Sequence, residues 1–524
     1  MTLPNQEFRA APSGQTPDLL PVRALLAVGI ASLALRFFIS ATFPISGDEA
    51  FFYWWGVYPA WGYSDHPPMV GWVIAAVRAV LGDRGDSIWA IRLPSVLLPL
   101  GVGAALWWAL KGLNRQRAAW AVLLFWLAPL NWLNMLITTD IPLIFWSAWS
   151  LAALVRAERR PQLDRAAYGL YALSGLLLAC AFLSKYFSVV LGLSYAAYFV
   201  LYRRNRLAGL AVLVLCALPG PAINIAYNMG HGWSNIMFNL YNRNEAEVFE
   251  WRKPLTYVGM MAYLITPAAL WLAARHWRAL GAAARSSRTG RILACAVVVP
   301  LAFFALLSLK KIIGLHWVMS FYPFGFALLA LALPVAQLKT GAKGLAVFAG
   351  LHVLVVAGLY LTTLDTWKAS ARYPQIVRSV KTAEMLAQVS APGVVLMGES
   401  YTPAAIFGFE RRQYMPVFGV GKFHARQDDA LVDFSVYQGQ TIRVITSEPP
   451  VLSDYAPYFA SVKVLSFAQS GVPFYALEGT GFNYAAYRQG VLGDIFKRFY
   501  SIPKALPMTG CPFCERYCGQ VRCP

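Results

Sequence analysis

Apolar runs long enough to cross a bilayer recur along this chain, and they constrain its fold more than any other feature. A hydrocarbon core about 30 Å thick takes roughly 20 residues of helix. Inside it every backbone N–H and C=O must find a partner within the protein, so such runs fold as helices. They lie near residues 22–42, 90–110, 118–135, 141–155, 166–184, 186–202, 207–225, 255–274, 292–309, 317–335 and 344–362, which predicts about eleven spans. Composition agrees, with 58% hydrophobic and 13% charged residues, against about 25% charged in soluble domains. The long loop after the first run contains Met69 to Leu81, whose pattern predicts an amphipathic helix lying in the membrane interface. The first twenty residues are polar and the first run has no small-residue cleavage site, so no cleavable signal peptide is expected.

The net charge of +20 would raise nucleic-acid binding in a soluble protein. Here the basic residues sit mostly in short loops between apolar runs, where membrane topology accounts for them, and no nucleic-acid partner is expected. One set of loops holds Lys111, Arg115 and Arg117, then Arg156, Arg159, Arg160 and Arg165, then Arg203, Arg204 and Arg206. It continues with Arg275, Arg278, Arg285, Arg288 and Arg291, then Lys339 and Lys343. The alternate loops hold Asp48, Glu49, Asp65, Asp83, Asp86, Asp140, Glu245, Glu247 and Glu250. The positive-inside rule puts the N-terminus in the cytoplasm and the acidic loops outside. An odd number of spans then places everything after about Leu364 outside as well.

The expected organisation is a cytoplasmic tail (1–21), a transmembrane domain with outer loops (22–364), an outer domain (365–484) and a tail (485–524). From about Arg372 the composition is that of a soluble domain. Gly393 to Met397 and Thr441 to Ile445 read as buried strands, and Tyr401 to Phe409 as a helix between them, predicting a small α/β domain. The tail carries Cys511, Cys514, Cys518 and Cys523. So close a spacing suits a metal site, but an oxidising outer compartment favours disulfides. Cys180, Cys216 and Cys295 lie in spans and read as packing residues.

Residues suited to chemistry collect in the acid-bearing loops. They are Asp48-Glu49, Asp65-His66-Pro67-Pro68, Thr138 to Pro142, Ser184-Lys185-Tyr186, His231 to Arg243, and Lys310-Lys311 with His316-Trp317. Taken singly, each acid reads as a solvated loop charge, and Lys185 or Lys310 as a side chain snorkelling to the interface. Together, carboxylates and cations on one side of a membrane suit a reaction in which a carboxylate deprotonates a hydroxyl and cations stabilise a departing phosphate.

Gly47-Asp48-Glu49-Ala50, Trp61 to Pro68, Thr139-Asp140-Ile141-Pro142 and Leu183-Ser184-Lys185-Tyr186 resemble the motifs of the GT-C membrane glycosyltransferases. That group includes the dolichyl-phosphate-mannose protein mannosyltransferases and the bacterial lipid A aminoarabinose transferase. The resemblance is specific from about Ala41 to Arg243 and looser beyond. It implies a polytopic α-helical GT-C-like fold with a small C-terminal α/β domain outside a bacterial-type inner membrane. The implied activity is transfer of a sugar, hexosyl or pentosyl, from a polyprenyl-phosphate carrier with inversion at the anomeric carbon. Acceptors consistent with it are lipid A, another envelope glycolipid, a polysaccharide or a protein.

Carried over residue by residue, the resemblance makes Asp48 the general base, with Asp65 and Asp140 orienting the acceptor or supporting the base. Lys185 and Arg243 match cations that hold the carrier phosphate, while Glu49, His66, Lys310 and His316 are acceptor or supporting residues. His66 stands where the aminoarabinose branch has Lys, which weakens the transfer of that branch's sugar specificity, or of a phosphate-binding role, to His66. No nucleotide cofactor is expected, because activated sugar nucleotides need a cytosolic site and no Rossmann-type glycine loop is present. The related enzymes do not uniformly need a divalent metal, so the three Asp do not by themselves predict one. A lipid or solute transporter, with ionisable residues near the midplane, and a noncatalytic assembly partner are the alternatives.

Overall fold

The computed structural model describes residues 20–242, 249–421 and 427–520. The chain forms two compact units, one of Met1–Thr42, Trp89–Ala222 and Ala246–Tyr360, the other of Phe43–Ile88, Ile223–Glu245 and Leu361–Pro524.

The first unit is helical. Among the described residues, seven helices of the whole chain are long and apolar enough to cross a membrane, or eight if one bent pair counts as a span. The helices Ser188–Tyr202 and Tyr322–Ala332 are apolar but shorter. The most enclosed span is Asp140–Glu158, which packs along Arg165–Ser184. Small residues let these helices close up: Ser150 Oγ donates to Ser174 O at 2.8 Å and lies 3.0 Å from Tyr195 Oη. A side chain at Gly175 would meet Leu213 O on the helix Leu207–Ala217, the small-residue packing expected where lipid supplies no hydrophobic drive. At the Arg-rich end, buried Glu158 accepts hydrogen bonds from Tyr171, from Tyr198 at 2.7 Å and from Arg203 at 2.9 Å.

Two expected spans are interrupted, each for a backbone reason. The run at 118–135 is a helix over Arg115–Leu127 and again over the single turn Leu130–Leu133, broken between them because Pro129 lacks the N–H needed to continue it. Arg36, buried in the first helix (Leu20–Thr42), donates to the carbonyls of Asn131 at 2.6 Å and Asn134 at 2.7 Å, as well as to Ser95. The freed backbone groups are thereby satisfied inside the protein. The run at 255–274 is two helices, Arg252–Ile265 and Pro267–Arg275, bent by 94°. Pro267 keeps the preceding residue out of the helical region, and Thr266 takes φ 74° while its hydroxyl accepts from Ala269 N.

In the second unit a four-stranded sheet has the order β1-β2-β4-β3, with β1 (Val394–Gly398), β2 (Thr441–Thr446), β3 (Ser461–Gln469) and β4 (Val472–Thr480). β1 and β2 are parallel, and the other pairings are antiparallel. The expected strands and the intervening helix, Tyr401–Arg411, are present. The β3–β4 hairpin adds two strands absent from the sequence reading, joined at Ser470-Gly471, both with positive φ. Side chains of β1, β2 and β4 alternate between two cores. Met397, Ile442, Val444 and Leu477 face one, and Leu396, Ile445 and Ala476 the other.

The cysteine-bearing tail packs in the first of these cores through Cys511, Phe513, Cys514 and Tyr517. Cys511 and Cys514 form a disulfide, and Cys518 is disulfide-bonded too. Cys523 lies outside the described residues. The Met69–Leu81 segment of the first loop is helical over the expected residues.

Candidate active site

Ser46-Gly47-Asp48-Glu49 is a helix start written in the sequence. Ser46 Oγ accepts from Glu49 N at 3.3 Å and Glu49 Oε2 accepts from Ser46 N at 3.1 Å, a reciprocal capping box. The helix Gly47–Val57 stops before Pro59, which disfavours a helical Tyr58. Seven residues in succession after Glu49, Ala50 to Gly56, are buried, so this helix is an internal element and not a solvated loop. It is gripped on two sides. The Tyr401–Arg411 helix meets it through Phe51 against Tyr401 (ring centres 5.1 Å apart) and Tyr53 against Phe409 (4.8 Å). On the other side Trp55 stacks on Tyr63 at 4.2 Å, and the Tyr63 hydroxyl donates to Trp55 O at 2.8 Å.

The two neighbouring acids have different surroundings. Glu49 is fully buried and engaged in the cap. Asp48 keeps solvent access. The surrounding protein still partly desolvates the Asp48 carboxyl and raises its pKa above the ordinary carboxylate value. Adjacent Glu49 adds to the rise, and the nearby Tyr401 hydroxyl opposes it. A base with a raised pKa is a better proton acceptor near neutrality.

At Gly47 the two helices approach closely, since a Cβ there would lie 2.0 Å from Thr402 Cγ2. Gly47→Ala should therefore cost about 1–3 kcal/mol of stability. Adding Thr402→Ser, which removes that methyl, should return most of it in thermal unfolding of the detergent-purified protein.

Asp65 and His66 lie in the next turn, with His66 Nε2 3.9 Å from Asp65 Oδ2. The His66 ring sits edge-on to Phe52 and Trp55 at 6.1 Å each, so this turn rests on the helix that carries Asp48. Its backbone is held by two residues of the His231 to Arg243 stretch that were not singled out by role: Asn235 Nδ2 donates to Tyr63 O and Asn239 Nδ2 to Asp65 O, both at 2.9 Å. Their spacing of four residues on one helical face was the available signal.

In the first unit Asp140 opens the helix Asp140–Glu158 and Lys185 follows the helix Arg165–Ser184. Lys185 Nζ donates to Asp140 Oδ1 at 2.8 Å and Oδ2 at 3.0 Å, with side-chain exposures of 10% and 7%. The sequence reading gave these residues separate roles, whereas the structure joins them as an ion pair. Lys310 and His316 are exposed, in the segment between the helices Arg288–Ser308 and Tyr322–Ala332. Lys253 Nζ donates to Lys310 O, and His316 neighbours Trp317. Arg243 lies outside the described residues. Among the described residues, no three His, Cys, Asp or Glu are grouped to hold a metal ion.

The protein is a multi-pass membrane protein with the fold of the GT-C glycosyltransferases, which it resembles in both sequence and structure. The profile of the dolichyl-phosphate-mannose-protein mannosyltransferase family matches residues 65–223. ArnT from Cupriavidus metallidurans bound to undecaprenyl phosphate superposes with a TM-score of 0.60 at 17% identity, over 88% of this chain and 97% of that one. Its apo form gives 0.58 at 15% identity, over 87% and 98%. The lipid A galacturonosyltransferase RgtD of Rhizobium johnstonii is 28% identical over 192 residues, 35% of this chain. That match spans 38% of the relative's length.

Proposed function

We propose that this protein is an inverting glycosyltransferase that moves a sugar from a polyprenyl-phosphate carrier to lipid A or another envelope glycolipid. The observation that carries the reading is the contrast between adjacent acids: Glu49 is consumed by the helix cap, while Asp48 is accessible and less acidic than usual. In the proposed step the acceptor oxygen attacks the anomeric carbon from the face opposite the phosphate. The bond from that carbon to the phosphate oxygen breaks, the phosphate leaves with the electron pair, and Asp48 takes the acceptor proton. Lys185 stabilises the phosphate, and Asp140 holds its ammonium in place, since an ammonium has a third N–H to give. Asp65 and His66 orient the acceptor.

The undecaprenyl phosphate bound by the ArnT relative and the lipid A named for RgtD support the donor and acceptor classes. The bent helix pair favours a transporter. No Asp, Glu, Lys, Arg or His lies between Lys253 and Arg275, however, so the bent pair itself brings no ionisable side chain to its bend.

Two experiments test the proposal. Mass spectrometry of envelope glycolipids from a deletion strain should show loss of one sugar from lipid A or its core; an unchanged profile would refute the acceptor class. A reporter that fluoresces only in the cytoplasm, fused after residue 370, should stay dark. Fluorescence would reverse the orientation on which an outer site depends. The grouping of Phe43–Ile88 with Leu361–Pro524 in one compact unit supports their lying on the same side.

A further inference from the structure

We infer that the cysteine-bearing tail is a brace that positions the turn of Asp65 and His66, acting through the segment 228–239. The inference rests on the reading that Asp65 and His66 orient the acceptor. It gives a role to a motif that the transfer step leaves unused.

The backbone of the segment needs outside support. Gly232 and Trp233 are both left-handed, with φ 60° and 55°. Glycine takes that conformation freely, but a tryptophan in it is strained and persists only where its surroundings over-determine it. The tail supplies that support. Thr509 N donates to Met229 O at 2.8 Å and Gly510 N to the same oxygen at 3.2 Å, while Gly232 N donates to Gly510 O at 3.1 Å. The Trp233 indole donates to Pro507 O at 2.8 Å. Cys511 lies against the same point, since a Cβ on Gly232 would be 2.9 Å from its sulfur. All these residues belong to the second compact unit.

The tail is itself anchored. The Cys511–Cys514 disulfide closes the chain directly after Gly510, and both residues are buried, so the bond is a staple and not a site of thiol exchange. Arg516 donates to the carbonyls of Val432 at 2.7 Å, Ala430 at 3.0 Å and Asp429 at 3.2 Å. The Phe513 ring stacks on Tyr500 at 4.5 Å.

From this anchor two arms reach the turn. In one, Asn235 and Asn239 of the braced segment hold the Tyr63 and Asp65 carbonyls. Asn239 lies in a π-helical turn, Phe238–Asn242, a distortion frequent at functional sites. In the other, Gln427 opens the helical turn that Arg516 grips, and its Oε1 accepts from Ser64 N at 3.4 Å. Ser64, His231, Gln427 and Phe513 line one small cleft, so turn, segment and tail meet at one place. Side chains can orient an acceptor only when the backbone that carries them is fixed.

Hydrogen exchange by mass spectrometry on the full-length protein in nanodiscs tests the brace without reference to activity. In Cys511→Ser with Cys514→Ser, the amides of residues 62–66 should exchange about tenfold faster, while the helix Gly47–Val57 keeps its wild-type rates. Gly232→Ala leaves the disulfide in place but pushes against Cys511, and it should have the same effect. It decides the matter if the cysteine variant does not fold. Wild-type exchange at 62–66 in these variants overturns the inference. Transfer from a polyprenyl-phosphate sugar to lipid A then separates positioning from stability. A loosened turn should raise the lipid A KM about tenfold, with kcat within a few-fold and the donor KM unchanged. Asp65→Ala is assayed alongside. Where it raises the lipid A KM, a wild-type value in a variant with a loosened turn overturns the positioning role. Where it leaves that KM unmoved, the acceptor reading falls and the exchange rates alone decide the brace.

Discussion

Asp48→Asn should lower the turnover of transfer to a neutral hydroxyl by about 10²–10⁴-fold while the protein folds and binds donor as before. The amide keeps the size of the carboxylate, but it cannot take the acceptor's proton. Because Asp48 is solvent-accessible, the change leaves no buried group unpaired, and stability should hardly move. Glu49→Gln, one residue along, should behave in the opposite way. Gln also serves in a capping box, so turnover should stay within a few-fold of wild type, whereas Glu49→Ala should cost about 0.5–2 kcal/mol of stability by breaking the cap. An acceptor that is already ionised, such as a phosphate, needs less help from a base. The loss in Asp48→Asn therefore also reports on acceptor chemistry. Turnover and donor binding measured side by side check the prediction, and a wild-type rate on a neutral acceptor would move the base to Asp65.

Asp140→Ala should be among the most destabilising single changes in the chain, at about 3–5 kcal/mol, because it strands the enclosed Lys185 ammonium without its partner. Lys185→Ala strands Asp140 in the same way and should also weaken donor use, a charge-assisted contact being worth about 1.5–3 kcal/mol. The double change Asp140→Leu with Lys185→Met replaces a buried pair by apolar groups, which is often neutral or stabilising. Its melting temperature should thus lie well above that of either single variant, while transfer stays lost. A double variant that regains transfer would confine the pair to a structural role. One that stays as unstable as Asp140→Ala would show that the two side chains are not coupled as the 2.8 and 3.0 Å contacts indicate.

Much of this molecule was legible as local pattern. Apolar runs marked the spans, and a change of composition near Arg372 marked the outer domain. Alternating or continuous apolar segments located β1 and β2, and Ser46 with Glu49 spelled a helix start, although the reading of the acid motif left that segment's conformation open. The Thr266-Pro267 step, where a continuous span was expected, carried its signal in the proline, and so did Pro129. The β3–β4 hairpin was there to be read in two strand-forming runs joined by Ser470-Gly471.

The sequence by itself determined which segments are helices, which are strands, where spans break and which loops carry acids. These properties depend on apolar period, missing N–H groups and cap side chains within a few residues. Only the tertiary structure decided what each polar side chain meets. Asp140 and Lys185 stand 45 residues apart and are joined because two helices place their ends together. Tyr401 reaches Phe51, one turn from Asp48, because a glycine opposite Thr402 lets two helices distant in sequence touch. A polar group inside a protein is specified by the partner that satisfies it, and which partner lies within about 3 Å is set by packing across the whole chain, not by the residues on either side.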